Sequence, residues 1–133
     1  MILLLLSISK SFGNISNNPN TEKGIIALMY HRFDENKYPS TNIRMEIFKE
    51  HLNEIKNLNL EFISFQKFEK IVDNKIDKSY LLLTIDDAFS SFYLNAWPII
   101  KKNKVPIILF VSTREVGKNG YMTWDQIREI ASS

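Results

Sequence analysis

The chain of 133 residues is 44% hydrophobic and 12% aromatic, enough for one domain with a core of its own and too little for two. Lys plus Arg number 17 against 15 Asp plus Glu, and a net charge of +2 gives no field that would gather nucleic acid or an anionic membrane. Cysteine is absent, which removes disulfides, thiolate zinc sites and a cysteine nucleophile, and His31 and His51 are the only imidazoles.

Met1 to Leu6 reads MILLLL and runs into a Ser- and Asn-rich stretch, similar to the apolar region of a secretory signal. No Lys or Arg precedes it, and it falls short of the roughly 7 to 15 residues such a region has. Residues 1–20 are read as a leader, either a signal-peptide remnant, with export to the periplasm, cell surface or exterior as the expectation, or an unstructured or misassigned stretch. The run cannot span a membrane, which takes about 18 consecutive apolar residues.

Residues 21–133 are patterned regularly. The apolar run Ile25 to Tyr30 has the length and β-branching of a strand buried on both faces. Ile43, Ile47, Phe48, Leu52, Ile55 and Leu58 recur every three or four residues between charged ones, the stripe of an amphipathic helix. Leu60 to Ser64 gives a second strand, and Phe65, Phe68, Ile71 and Val72 a short helix. The third strand is Tyr80 to Ile85. Phe92, Ala96, Ile99 and Ile100 mark a helix ended by Asn103 and Pro106, and Ile107 to Val111 a fourth strand. Thr123 with Gln126 forms a capping box that opens a last helix, Trp124 to Ala131. Strands that alternate with helices and are apolar throughout imply an α/β fold with a parallel sheet, either open or closed as a barrel. Sites in such folds lie at the carboxyl ends of the strands.

The third strand ends there on two adjacent aspartates, Asp86 and Asp87. Neighbouring side chains of a regular strand point to opposite faces, so both carboxylates can line one pocket only where the chain has begun to turn. Two anions that close call for a cation or a shared proton between them. The competing reading is that one aspartate caps the following helix while the other faces water. His31 follows the first strand directly and falls at the same end of the sheet, where a histidine can equally be a hydrogen-bonded structural group. His51, inside the amphipathic helix, reads as a partly exposed helix residue.

LLLTIDDAF followed by YLNAWPIIKKNKVPIILFVST resembles the first motif of the polysaccharide deacetylases, the NodB-homology carbohydrate esterases: a strand, T-F-D-D-G, a helix, then a Pro-led strand ending F-V. ALMYHRF, FKEHLNEIKNLNLEFISFQKFEKIV and MTWDQIREI resemble flanking blocks in the same order, so the resemblance runs from Gly24 to the end of the chain. It implies that residues 21–133 are the N-terminal part of a distorted (β/α) barrel with parallel strands, incomplete in this chain. It further implies a hydrolase that removes N- or O-acetyl groups from a polysaccharide or peptidoglycan-like glycan, using one divalent metal, usually zinc. By motif position Asp86 is the general base and Asp87 a metal ligand, while His31, Tyr30 and Ala88 line the site. A metal held by one carboxylate and two imidazoles keeps an open position for water and polarises the acetyl carbonyl while a neighbouring carboxylate takes the proton.

Two positions depart from the motif: Ile85 stands for Phe, and Ala88 for a Gly whose place, if it needs positive φ, would disfavour Ala by about 1 kcal/mol. The family's paired histidines, H-[ST]-x-x-H, and its later arginine and histidine do not occur before Ser133. The expectation is therefore a fragment inactive by itself, with a non-catalytic or weakly glycan-binding remnant as the alternative. A receiver domain also ends a strand on an acidic pair, but on its first strand and with a phospho-accepting aspartate on a later one. Here the pair closes the third strand, and the next strand ends on Ser112 and Thr113.

Overall fold

The structure is a computed structural model that describes residues 23–74 and 76–133; the leader expected over residues 1–20 lies outside the described residues. Its central element is β5, Tyr80–Ile85, a six-residue strand buried at every position. β1, Ile25–Tyr30, runs parallel along the whole of one edge, from Ile25 opposite Tyr80 to Tyr30 opposite Ile85. The other edge is shared by two short parallel strands, β4 (Glu61–Phe62) at its start and β6 (Ile108–Leu109) at its end. A separate two-stranded parallel ladder joins β2, Arg32–Phe33, to β3, Asn42–Ile43.

Three α-helices connect these strands, α1 (Met45–Asn57), α2 (Phe65–Ile71) and α3 (Trp97–Lys102), and a fourth, α4 (Trp124–Ala131), follows β6. The predicted capping box is present: the Thr123 hydroxyl accepts from the Gln126 N–H, and the Gln126 side chain accepts from the Thr123 N–H. α3 is entered through a π-helical turn, Phe92–Ala96, in which the Trp97 N–H reaches the Phe92 carbonyl five residues back. Pro98 accounts for the widened turn, because it has no amide hydrogen and its ring crowds the carbonyl four residues earlier.

The period of two along β5 sorts its side chains onto two faces. Leu83 and Ile85 join Phe33, Phe48, Phe92, Ile100 and Met122 in the main core beneath α1, α3 and α4. Tyr80 and Leu82 join Ile63 in a smaller core closed by Phe68 and Ile71 of α2. At its upper end that second face is open over the flanking strands, where Met29 and Phe110, on the same parity as Ile25 and Ile108, are 53% and 55% exposed while Thr84 of β5 stays buried. β1 is thus not buried on both faces as its apolar run suggested; it bonds β5 alone among the described residues and forms the edge of the sheet. Ile43, counted into the helical stripe, belongs to β3, and the fourth strand is two residues long instead of five.

These parallel strands and helices form part of a (β/α) barrel. No helix among the described residues is long and apolar enough to cross a membrane.

Candidate active site

β1 and β5 end at the same level, so the residues that follow them emerge side by side. The Asp86 N–H donates to the Tyr30 carbonyl at 2.8 Å, which extends the ladder by one step and fixes Asp86 at the rim. His31 Nε2 lies 3.9 Å from Asp86 Oδ2, both side chains about a quarter exposed. The chain then leaves the strand through two consecutive left-handed residues, Asp87 at φ 69° and Ala88 at φ 58°. That reversal breaks the strand alternation and keeps two neighbouring carboxylates in one region. Ala88 therefore occupies a conformation better suited to glycine, the situation anticipated from its departure from the motif.

The two carboxylates are held differently. Asp87 Oδ1 accepts from the Ser112 hydroxyl at 2.8 Å, a contact between the turn after β5 and the segment after β6. Asp86 Oδ1 is buried and has no hydrogen-bond partner. Burial is the main cause that pushes the Asp86 carboxyl above its usual range; His31 opposes the shift and the nearby charge of Asp87 adds to it.

Tyr30 and Ala88 do not line this rim with their side chains, contrary to the sequence expectation. Tyr30 points to the other face of β1, packs edge-on against Phe48 at 5.3 Å and brings its hydroxyl 2.7 Å from His51 Nδ1. Alternation forces this, because a strand that aims His31 at the rim aims Tyr30 away from it. Only the Tyr30 carbonyl reaches the site. The Ala88 methyl is buried in the main core, and its carbonyl accepts from the Met122 N–H at 2.9 Å. His51 is half-buried and bonded to Tyr30, away from the acid pair.

Sequence reading missed two contributors. Ser112 was noted only for not being acidic, although a hydroxyl three residues past the strand paired with β5 is well placed to reach a carboxylate just beyond β5's own end. Arg32, one residue beyond His31, stacks its guanidinium 3.4 Å from the ring centre of Phe89, the residue just past the turn.

Comparison with known proteins agrees with this architecture. The profile of the polysaccharide deacetylase family matches residues 73–133, from the approach to β5 through α4. The poly-beta-1,6-N-acetyl-D-glucosamine N-deacetylase of Staphylococcus aureus is 25% identical over 150 aligned residues, which cover 95% of this chain and 52% of that protein. IcaB from Ammonifex degensii superposes with a TM-score of 0.75 at 27% identity, over 84% of this chain and 49% of its own. The Streptococcus pyogenes deacetylase PplD, solved in complex with acetate, gives 0.68 at 25% identity, over 81% and 52%. The chain spans about half the length of these relatives. The matched region contains the carboxylate strand, its turn and the segments packed around it, so the chain is similar to the polysaccharide deacetylases in the part that carries the candidate site.

Proposed function

We propose that residues 21–133 are the N-terminal part of the catalytic unit of an exported, metal-dependent hydrolase that removes acetyl groups from a glycan. A poly-N-acetylglucosamine is the substrate class favoured by the similarity to the Staphylococcus aureus poly-beta-1,6-N-acetyl-D-glucosamine N-deacetylase. The observation that carries the reading is the buried, unpartnered Oδ1 of Asp86 next to a second carboxylate. A buried carboxylate oxygen without a donor is costly unless a proton, a water or a cation comes to it.

The donor chemistry suits a divalent metal, with zinc the family's usual ion, but the count is short. In this reading Asp87 is the ligand, and the Ser112 hydroxyl fixes its rotation so that the other oxygen is free to bind. When bound, the metal would act as a Lewis acid and lower the pKa of a water. Asp86 accepts the proton from the attacking water, a task helped by a carboxyl whose pKa is raised. His31 stands beside Asp86 and stabilises its charged form.

A catalytic zinc takes three protein ligands and a water, whereas the described residues contain no group of three side chains placed to hold a metal. We therefore read the 133-residue chain by itself as catalytically silent, with weak zinc affinity and at most weak affinity for glycan. Acetate release from acetylated chito-oligosaccharide or acetylxylan, with zinc added, should stay at the blank; turnover would overturn this reading. In a chain extended through a paired-histidine segment, Asp87→Ala should lose zinc and activity together. Asp86→Asn should keep zinc and lose about 10²- to 10⁴-fold in turnover, the usual contribution of a general base. If Asp86→Asn also loses zinc, the pair acts as a joint ligand and the division of roles is wrong.

A further inference from the structure

We infer that Arg32 is a positioning residue for the carboxylate turn: its guanidinium, wedged between the rings of Phe89 and Tyr38, helps hold the left-handed Asp87–Ala88 backbone. The guanidinium carbon lies 3.4 Å from the centre of the Phe89 ring and 4.2 Å from that of Tyr38. Its Nη1 donates to Glu35 Oε2 at 2.8 Å, and the side chain is only 14% exposed. A planar cation in contact with two rings and paired with a carboxylate has little freedom left, so what it touches is held as well.

What it touches is the exit of the turn. Phe89 follows two non-glycine residues at φ 69° and 58°, and such conformations persist only where the surroundings over-determine them. Part of that restraint comes from the loop before α4. The Met122 N–H donates to the Ala88 carbonyl at 2.9 Å, the Ser90 N–H donates to the Gly120 carbonyl at 3.0 Å, and the Tyr121 ring packs 4.8 Å from Phe89. Arg32 adds a restraint from a different part of the fold. Its own backbone N–H is bonded to the Thr41 carbonyl, and it directly follows His31. One side chain thus ties the histidine's segment to the turn that carries both carboxylates, while its pairing with Glu35 directs its charge away from them.

The importance of this clamp for catalysis rests on the deacetylase reading; the clamp itself does not. NMR on the full 133-residue chain tests it, since amide–alpha scalar couplings of Asp87 and Ala88 report φ and amide exchange at Met122 and Ser90 reports the bonds that flank the turn. Arg32→Met keeps the aliphatic stem and removes the plane. Exchange at Met122 and Ser90 should accelerate about tenfold or more while the β5 amides hold, and the two couplings should move toward averaged values. Arg32→Lys, which keeps the charge without the plane, should restore only part of the protection. Tyr38→Leu, at an exposed position, should show the same change in smaller degree, and it decides alone if Arg32→Met does not fold. The inference is overturned if the couplings and both amides keep their wild-type values, or if only Glu35 and Thr41 respond. Neither readout needs metal, glycan or turnover, so failure of the clamp and failure of the deacetylase reading are separate results.

Discussion

The contact between Tyr30 and His51 sets a pH window for the fold. Burial pushes the Tyr30 hydroxyl up to about 12, from an ordinary 10.0. It also lowers the His51 imidazole from its ordinary 6.5, with the charge of Glu50 opposing the shift. For the histidine, the unfolded chain takes up a proton before the folded one does, so stability is present above 6.5 and falls as the pH drops below it. For the tyrosine, the unfolded chain loses its proton first, so stability is present below 10.0 and is lost as the pH rises toward 12. Denaturant midpoints measured across pH should form a plateau between these limits. His51→Leu should flatten the acid side and Tyr30→Phe the alkaline side; unchanged slopes in both variants would refute the assignment. The sequence already held a sign of this pairing. Once His31 is placed at the rim, alternation sends Tyr30 into the core, where its hydroxyl must find a partner, and only the identity of that partner, 21 residues away on α1, required the fold.

At the scale of elements, the turn after β5 is where opposing effects nearly balance. Ala88 at φ 58° bears a steric cost of about 1–2 kcal/mol relative to a right-handed conformation. Its methyl is 1% exposed, and removing one such group from a core forfeits about 0.8 kcal/mol. Ala88→Gly should therefore change stability by less than about 1 kcal/mol, although truncation of a buried alanine ordinarily destabilises. A loss above about 2 kcal/mol in denaturant unfolding would mean that packing outweighs strain there.

The elements legible in the sequence were those with a local cause: β1 and β5 from their apolar runs, and α4 from its capping box, all with the boundaries expected. β2 and β3 escaped because a two-residue ladder is made by tertiary neighbours; Ser91 accepts from the Phe33 N–H, and Asn95 donates to the Phe33 carbonyl. Ile43 fell on the helical period by coincidence of spacing, while its backbone carbonyl accepts from the Asp34 N–H and holds it in β3.

For the whole molecule, apolar content announced a parallel sheet but could not say how much of each face is covered. The main core fills one side of β5, and α2 closes only the lower part of the other, which leaves Met29 and Phe110 in solvent on the side toward which His31 and Asp86 also alternate. This gives the thioethers of the chain unequal reactivity. Met29 is 53% exposed, whereas Met45 and Met122 are 7% and 0% exposed. Dilute peroxide should convert Met29 to the sulfoxide well before the other two, and without unfolding the chain, since the added oxygen meets water instead of packed neighbours. Peptide mass spectrometry would read the order of oxidation; early modification of Met122 would contradict the burial described for it. Once that order is known, Met29 becomes a chemical footprint of the open sheet face, and its protection from peroxide in a longer form of the protein would report that further chain has come to lie over it.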